Sequence, residues 1–370
     1  MGGRGCLPLL HYIRSSRQGT LAGLCSPLQS FSRIGRCSLR NSSSSVSSAP
    51  PSSTPSSPDF SRLPGARVPS SSPSPSVRRP PTRQQAQQAL SHCVSLLRKH
   101  DTANYLAALL MPRQAQHCIF AILAVNAEIA LTRDKVSQLS SSPMYRLQFW
   151  RDTFSAIYEG KGLIPQQPSA TALQVFAPSA SFSLLDSLAL SRQRTIGDRP
   201  FPSLQHVCDY GRQSTGSLIR LQMNALSKLK EGEEKVEEAI NSLSESFALL
   251  NLVRCAGPFT LRSIVVLPAD ILSLYGVTPD NVVSGKNPDD LCKVIKHLVE
   301  EGETRLKRSR SLHDWVRREH RPAFLAVAAQ CEYIVKQSRA AHFNIRSPLL
   351  QRPRPFLPWR LAARRIASTF

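Results

Sequence analysis

Asn251 and Arg254 stand three residues apart in the stretch AINSLSESFALLNLVRCAG, a spacing that places both on one face of a helix. The rest of that stretch is largely apolar. A guanidinium in such a setting calls for a carboxylate partner or an anionic ligand, because an unpaired charge away from water is costly. Tyr210 and Arg212, in DYGRQSTGSL, form a second polar group, with Gly216 and Ser217 small enough to let another helix come close. Glu128 and Asp134 are the carboxylates of a third, in FAILAVNAEIALTRDKVS. Asp134 beside Arg133 reads either as a cap or ion pair at a helix end or as a ligand contact, with the structural role favoured. Arg146, Arg151 and Asp152 flank Trp150 and suit surface or inter-helix pairs.

Much familiar chemistry is missing. The nine cysteines are scattered with no CxxC spacing, and the histidines form no HExxH. His92-Cys93 and His117-Cys118 are adjacent pairs whose side chains diverge around a helix. Neither a zinc site nor a disulfide framework follows, and a reducing compartment fits best. The sequence contains no nucleophile elbow, Walker loop or dinucleotide fingerprint, and YGRQSTGS is too poor in glycine to cradle a phosphate. No catalytic residue, metal ligand or cofactor is assigned on these grounds.

The elements that must position these groups read as helices. QQAQQALSHCVSLLRKHD has apolar residues at helical spacing, Asp101 and Asn104 can start a second helix, and Pro112 stops it. The following segment is apolar on all sides between Cys118 and Ala130, which predicts a buried helix. Leu147, Trp150, Phe154 and Ile157 form one stripe. Further helices are expected in LQHVCDYGRQSTGSLIRLQMNALSKL, KVEEAINSLSESFALLNLVRCAG, DDLCKVIKHLVEEGETRLKRSRSLHDWV and PAFLAVAAQCEYIVKQ. SIVVLP at 263–268 is the one strong strand candidate. The reading is an all-α bundle of roughly eight to ten helices over residues 81–345.

The net charge of +22 is unevenly spread. Residues 1–80 hold ten arginines, no lysine and a single acid, Asp59, with abundant serine and the apolar cluster Leu9, Leu10 and Ile13. That pattern predicts a mitochondrial presequence followed by a Ser/Pro-rich disordered linker. The arginines there are mostly isolated, unlike the dense blocks of a nucleic-acid arm, so no nucleic-acid partner is expected. No run of 18 apolar residues free of charge predicts a spanning helix. Arg305, Lys307, Arg308, Arg310, Arg317, Arg318 and Arg321 read as a solvated face. The tail at 346–370, with Leu357, Trp359, Leu361 and Ile366 among arginines, suits either docking on an anionic membrane surface or closing packing.

Three stretches in order, FAILAVNAEIALTRDKVS, MYRLQFWRDTFSAIY and NLVRCAGPFTLRSIVVLPADILSLYGV, resemble the squalene and phytoene synthase family over Ser91 to about Ser347. The resemblance implies an isoprenoid-synthase-like helical bundle around a central cavity. Active members hold Mg²⁺ on two aspartate-rich helical stretches and join two prenyl diphosphates. Carried onto this chain, the paired aspartates of the first motif fall at Ala130 and Leu131, Asp134 alone remains, and Glu128 is displaced. In the second, Asn251 and Arg254 match, while Cys255, Pro258 and Phe259 stand where acids would be. The resemblance therefore implies a non-catalytic member with no metal, in which Glu128, Asp134, Tyr210, Asn251 and Arg254 line a vestigial pocket.

Within the family the chain is similar to a branch that assists the building of respiratory complex I. That similarity implies an early assembly role on the matrix side of the mitochondrial inner membrane. The implied partners are early complex I intermediates or subunits, the inner-membrane surface as a peripheral contact, and an isoprenoid-like lipid. The alternative is a prenyl- or quinone-type lipid-binding protein or transferase with magnesium-independent chemistry.

Overall fold

The computed structural model describes residues 80–370 apart from 133–142, 197–198 and 228–232. The presequence and linker expected over 1–80 lie outside the described residues but for Pro80, and so does Asp134. The described residues form fourteen α-helices and no strand, more helices than expected because several are short.

Local signals set the first helices. In α1 (Arg83–His100) the Thr82 hydroxyl accepts from the Gln85 N–H, and the Gln85 side chain accepts from the Thr82 N–H at 2.8 Å, a reciprocal cap. Asp101 starts α2 (Thr102–Leu109), accepting from both the backbone and the side-chain amide of Asn104. α3 (Arg113–Leu131) is long and apolar enough to cross a membrane by length and composition, yet 67% of its apolar window is buried inside the protein. It is a core helix, with Ile119, Leu123 and Val125 sealed from solvent.

α4 (Pro143–Tyr158) buries Leu147, Trp150 and Phe154 as their spacing predicts, with Ile157 half-buried. Arg151 on its other side forks onto Asp186, Nε to Oδ1 at 2.6 Å and Nη2 to Oδ2 at 3.1 Å, tying α4 to α6 (Phe182–Arg194). α5 (Pro168–Phe176) packs on α1 and α3.

α7 (Leu204–Gly211) runs on through a π-helical turn, Arg212–Gly216, into α8 (Ser217–Leu226), where the sequence suggests one regular helix. The core is organised on α9 (Glu234–Thr260), which packs against α7, α12 (Pro288–Ser311) and α13 (Pro322–Ala340). A Cβ at Gly211 would stand 2.6 Å from the Ser244 carbonyl oxygen and 2.9 Å from the Ala248 Cβ, so only glycine allows α7 this close to α9. The close approach expected at Gly216 is thus tightest one turn earlier. Glu245 of α9, 12% exposed at its side chain, accepts from Arg212 Nε at 2.6 Å and from Arg305 Nε at 3.0 Å. One carboxylate thereby joins the π turn, α9 and α12.

No strand forms in SIVVLP. Val265, Val266 and Leu267 are buried, but the segment has no extended partner and bends into α10 (Ala269–Leu274), whose Ala269 N–H donates to the Phe201 carbonyl at 2.8 Å. After α11 (Pro279–Ser284) and α12, the arginines read as a solvated face are in large part bridges. Arg305 reaches Glu245 and Arg308 reaches Glu238, both on α9.

Residues 346–370 pack into the same core rather than forming an appended tail. In α14 (Leu357–Ile366) Leu357 and Leu361 are buried, and beyond it Phe370 stacks on Phe324 of α13 with ring centroids 4.6 Å apart. Glu332 on α13 pairs with Arg310 at 2.7 Å, Arg360 at 3.1 Å and Arg364. Phe356, Trp359 and Ile366 remain exposed along the outer edge.

Glu245→Gln strips Arg212 and Arg305 of their shared carboxylate. We expect a loss of about 2 kcal/mol in urea unfolding, less than for a fully buried pair because Arg212 is 41% exposed. An unchanged midpoint would show that the bridge does not hold the π turn.

Candidate functional site

α2, α3, α6, α7, the π turn, α9 and α13 contribute to a cavity of about 270 Å³. Its walls are mostly apolar, with Leu147, Val207, Leu218, Phe247, Val266 and Val327 among them.

Tyr210, Asn251 and Arg254 line this cavity together. Arg254, 7% exposed, donates from Nη2 to the Asn251 Oδ1 at 2.7 Å, the partnership their three-residue spacing permits. Tyr210 packs near Phe201, with ring centroids 5.9 Å apart. Glu128 is not among the lining residues. Asn126 and Ala130 line the cavity, and a residue two positions from each is turned about 200° around the helix, toward the opposite side. There the Glu128 carboxylate accepts from the side chains of Gln167 and Ser169 and lies 3.6 Å from His92 Nε2, fastening α3 to the start of α5. Arg212, which the sequence groups with Tyr210, lies two residues on, about 200° around the helix, and turns instead to Glu245. Asp134 lies outside the described residues.

Several lining groups escape the sequence reading. Arg192 of α6 donates to Asn126 Oδ1 at 2.9 Å and to the Leu188 carbonyl at 2.7 Å. Gln330 sits in α13, 3% exposed, with its side-chain oxygen unpartnered. Asn126 and Gln330 carry the signal that marks Asn251, an amide within an apolar helix, and could have been found the same way. Asp101 reads from sequence only as a cap, yet it also lines the cavity. Burial pushes its carboxyl above the usual carboxylate range, against the opposing pull of Asn104, Arg354 and Arg254. Burial, then repulsion from Arg254, brings the Arg354 guanidinium down to about 10.

The positions to which the family resemblance assigns metal-binding aspartates are instructive. Ala130, Leu131, Cys255 and Phe259 all line the cavity, and Cys255 and Phe259 pack with Val266 in a small apolar cluster. Asp101 is the sole carboxylate among the described lining residues, and no three His, Cys, Asp or Glu side chains group as metal ligands among the described residues. Such a donor set does not fit magnesium ions, which bind through carboxylates and phosphates. Guanidinium and amide groups are suited to anions instead.

Residues 97–360 match the squalene/phytoene synthase family model. The chain is 28% identical over 269 residues to the Homo sapiens and Bos taurus proteins named NADH dehydrogenase (ubiquinone) complex I, assembly factor 6, covering 72% of this chain and 79% of each relative. A Drosophila melanogaster homolog of the same name is 27% identical over 259 residues, with 67% and 75% covered. Among solved structures, a dehydrosqualene synthase aligns with a TM-score of 0.63 at 17% identity, covering 77% of this chain and 97% of that one. Squalene synthase from Alicyclobacillus acidocaldarius aligns at 0.60 and 16%, covering 71% and 97%.

Arg354 contributes more than Arg254 to the counter-charge felt by Asp101. Arg254→Met therefore leaves no carboxylate stranded, and its unfolding free energy should change by less than about 1.5 kcal/mol, in the range of a volume-conserving change. A loss of several kcal/mol in chemical denaturation would mean that Arg254 serves the fold rather than the cavity.

Proposed function

The chain belongs to the squalene/phytoene synthase family, and from that premise we propose that it is a non-catalytic member acting as an assembly factor for mitochondrial respiratory complex I. The observation that carries the non-catalytic reading is the cavity wall itself. Ala130, Leu131, Cys255 and Phe259, to whose positions the resemblance assigns metal-binding acids, line it, and an apolar side chain cannot hold the Mg²⁺ that lets diphosphate leave. Cysteine is too soft a ligand to replace them.

The complex I part of the proposal is supported by the names of relatives that match over more than two thirds of their own length. In this reading the protein acts at an early stage, on early complex I assembly intermediates or subunits. It works at the matrix side of the inner membrane, delivered there by the arginine-rich first eighty residues. Its membrane contact is peripheral, through the exposed edge of Phe356, Trp359 and Ile366. The arginines of that helix add little attraction for lipid, since Arg360 and Arg364 are held by Glu332.

The open cavity favours a second reading, a prenyl- or quinone-type lipid-binding protein or transferase that works without magnesium. Incubating the purified chain with prenyl diphosphates, with and without Mg²⁺, separates an enzyme from the helper. We expect no pyrophosphate release, and measurable turnover would overturn the non-catalytic reading.

Removing the protein from cells should deplete intact complex I while other respiratory complexes stay near normal, and alkaline carbonate should release the protein from inner membranes. Equal loss of all complexes would point to a general role in organelle gene expression. Resistance to carbonate would rule out a peripheral contact.

A further inference from the structure

We propose that the cavity binds the single negatively charged head of a carboxylate amphiphile directly through Arg192 and Arg254, without a metal ion, the chain lying against the apolar walls. This inference goes beyond the assembly role and stands or falls without it. It begins from the partners of the two arginines. Arginines at the joints between helices are matched by carboxylates, as Arg151 is by Asp186, Arg220 by Glu237 and Arg305 by Glu245. Arg192 and Arg254 line the cavity and donate to neutral oxygens, of Asn126 and Leu188 in one case and of Asn251 in the other. Among the described residues neither has a carboxylate within ion-pair distance, so each brings a net positive charge to the wall.

A second observation points to a polar guest. The amide of Gln330, in the same wall and 97% buried by its 3% exposure, leaves its oxygen without a donor. Oxygen and nitrogen of such an amide can exchange places, which would turn its NH₂ toward a ligand oxygen.

Charge and size then select the guest. A diphosphate needs magnesium to be neutralised, and the described residues offer no cluster to hold it. Against Asp101 as the one lining anion stand Arg192 and Arg254 in the wall and Arg199 exposed to water; the two guanidiniums of the wall suit a head of one charge, and guanidinium matches a planar carboxylate. The 270 Å³ of space lies just below the range of about 300–1,000 Å³ typical of small-molecule sites. A space of that order suits one slender chain.

Isothermal titration of the full chain with decanoate in EDTA tests this, with decanol and with pyrophosphate plus Mg²⁺ as comparisons. We expect saturable decanoate binding, decanol at least about tenfold weaker, no pyrophosphate binding, and about a tenfold loss in Arg192→Gln and Arg254→Gln. Asn251→Asp should weaken binding likewise by placing a carboxylate beside Arg254. Being nearly isosteric, it keeps the test alive if either arginine variant fails to melt cooperatively. No saturable binding, equal affinity for decanol, a requirement for Mg²⁺, or unchanged affinity in the folded variants would each overturn the proposal.

Discussion

A single carboxylate, Glu245, sets the geometry on which the rest of the bundle depends. Set in the core face of α9, it accepts from Arg212 on the π turn and from Arg305 on α12, so two neighbouring elements are registered against the central helix at one point. The glycine contact at Gly211 fixes how near α7 can come, and Glu245 fixes how the chain is rotated just beyond it. The π turn begins at Arg212, which pairs outside the cavity, while Ser214 and Thr215 within the turn reach it. Without that bridge the wall opposite α3 would have a different set of side chains.

Carboxylates in this protein are concentrated at the joints between helices and largely absent from the cavity. Asp186 joins α6 to α4, Glu128 joins α3 to α5, and Glu332 holds α14 on α13. The cavity retains amides, arginines and Asp101. Fold and site are thereby separable: the ion pairs that hold these helices together lie outside the cavity.

Much of this was legible from residue patterns, and the failures have physical causes. The stripe Leu147, Trp150, Phe154 and the cap at Asp101 are local signals, and both hold because the tertiary structure agrees with them. SIVVLP misleads because β-branched side chains pack equally well in a buried irregular segment, and strand formation needs a neighbour that the sequence cannot supply locally. α5 is only nine residues long, and the serines of α6 interrupt its apolar periodicity. In the cavity, Asn251 and Arg254 stand out as polar residues on an apolar helix, whereas Arg192 lies in the mixed sequence SRQR and is recognised only by its contact with Asn126. Glu128 shows the limit of reading a motif without its helical phase: two residues decide which side of α3 a carboxylate serves.

Phe370 has a further consequence. Its ring seals the same core that α3 and α9 begin, and the backbone around it is held by Arg310 and Arg321. A chain threaded amino end first through any narrow pore cannot close this core until residue 370 has emerged. Completion of the core therefore waits on the segment that carries Phe370, the part of the chain most distant in sequence from α1.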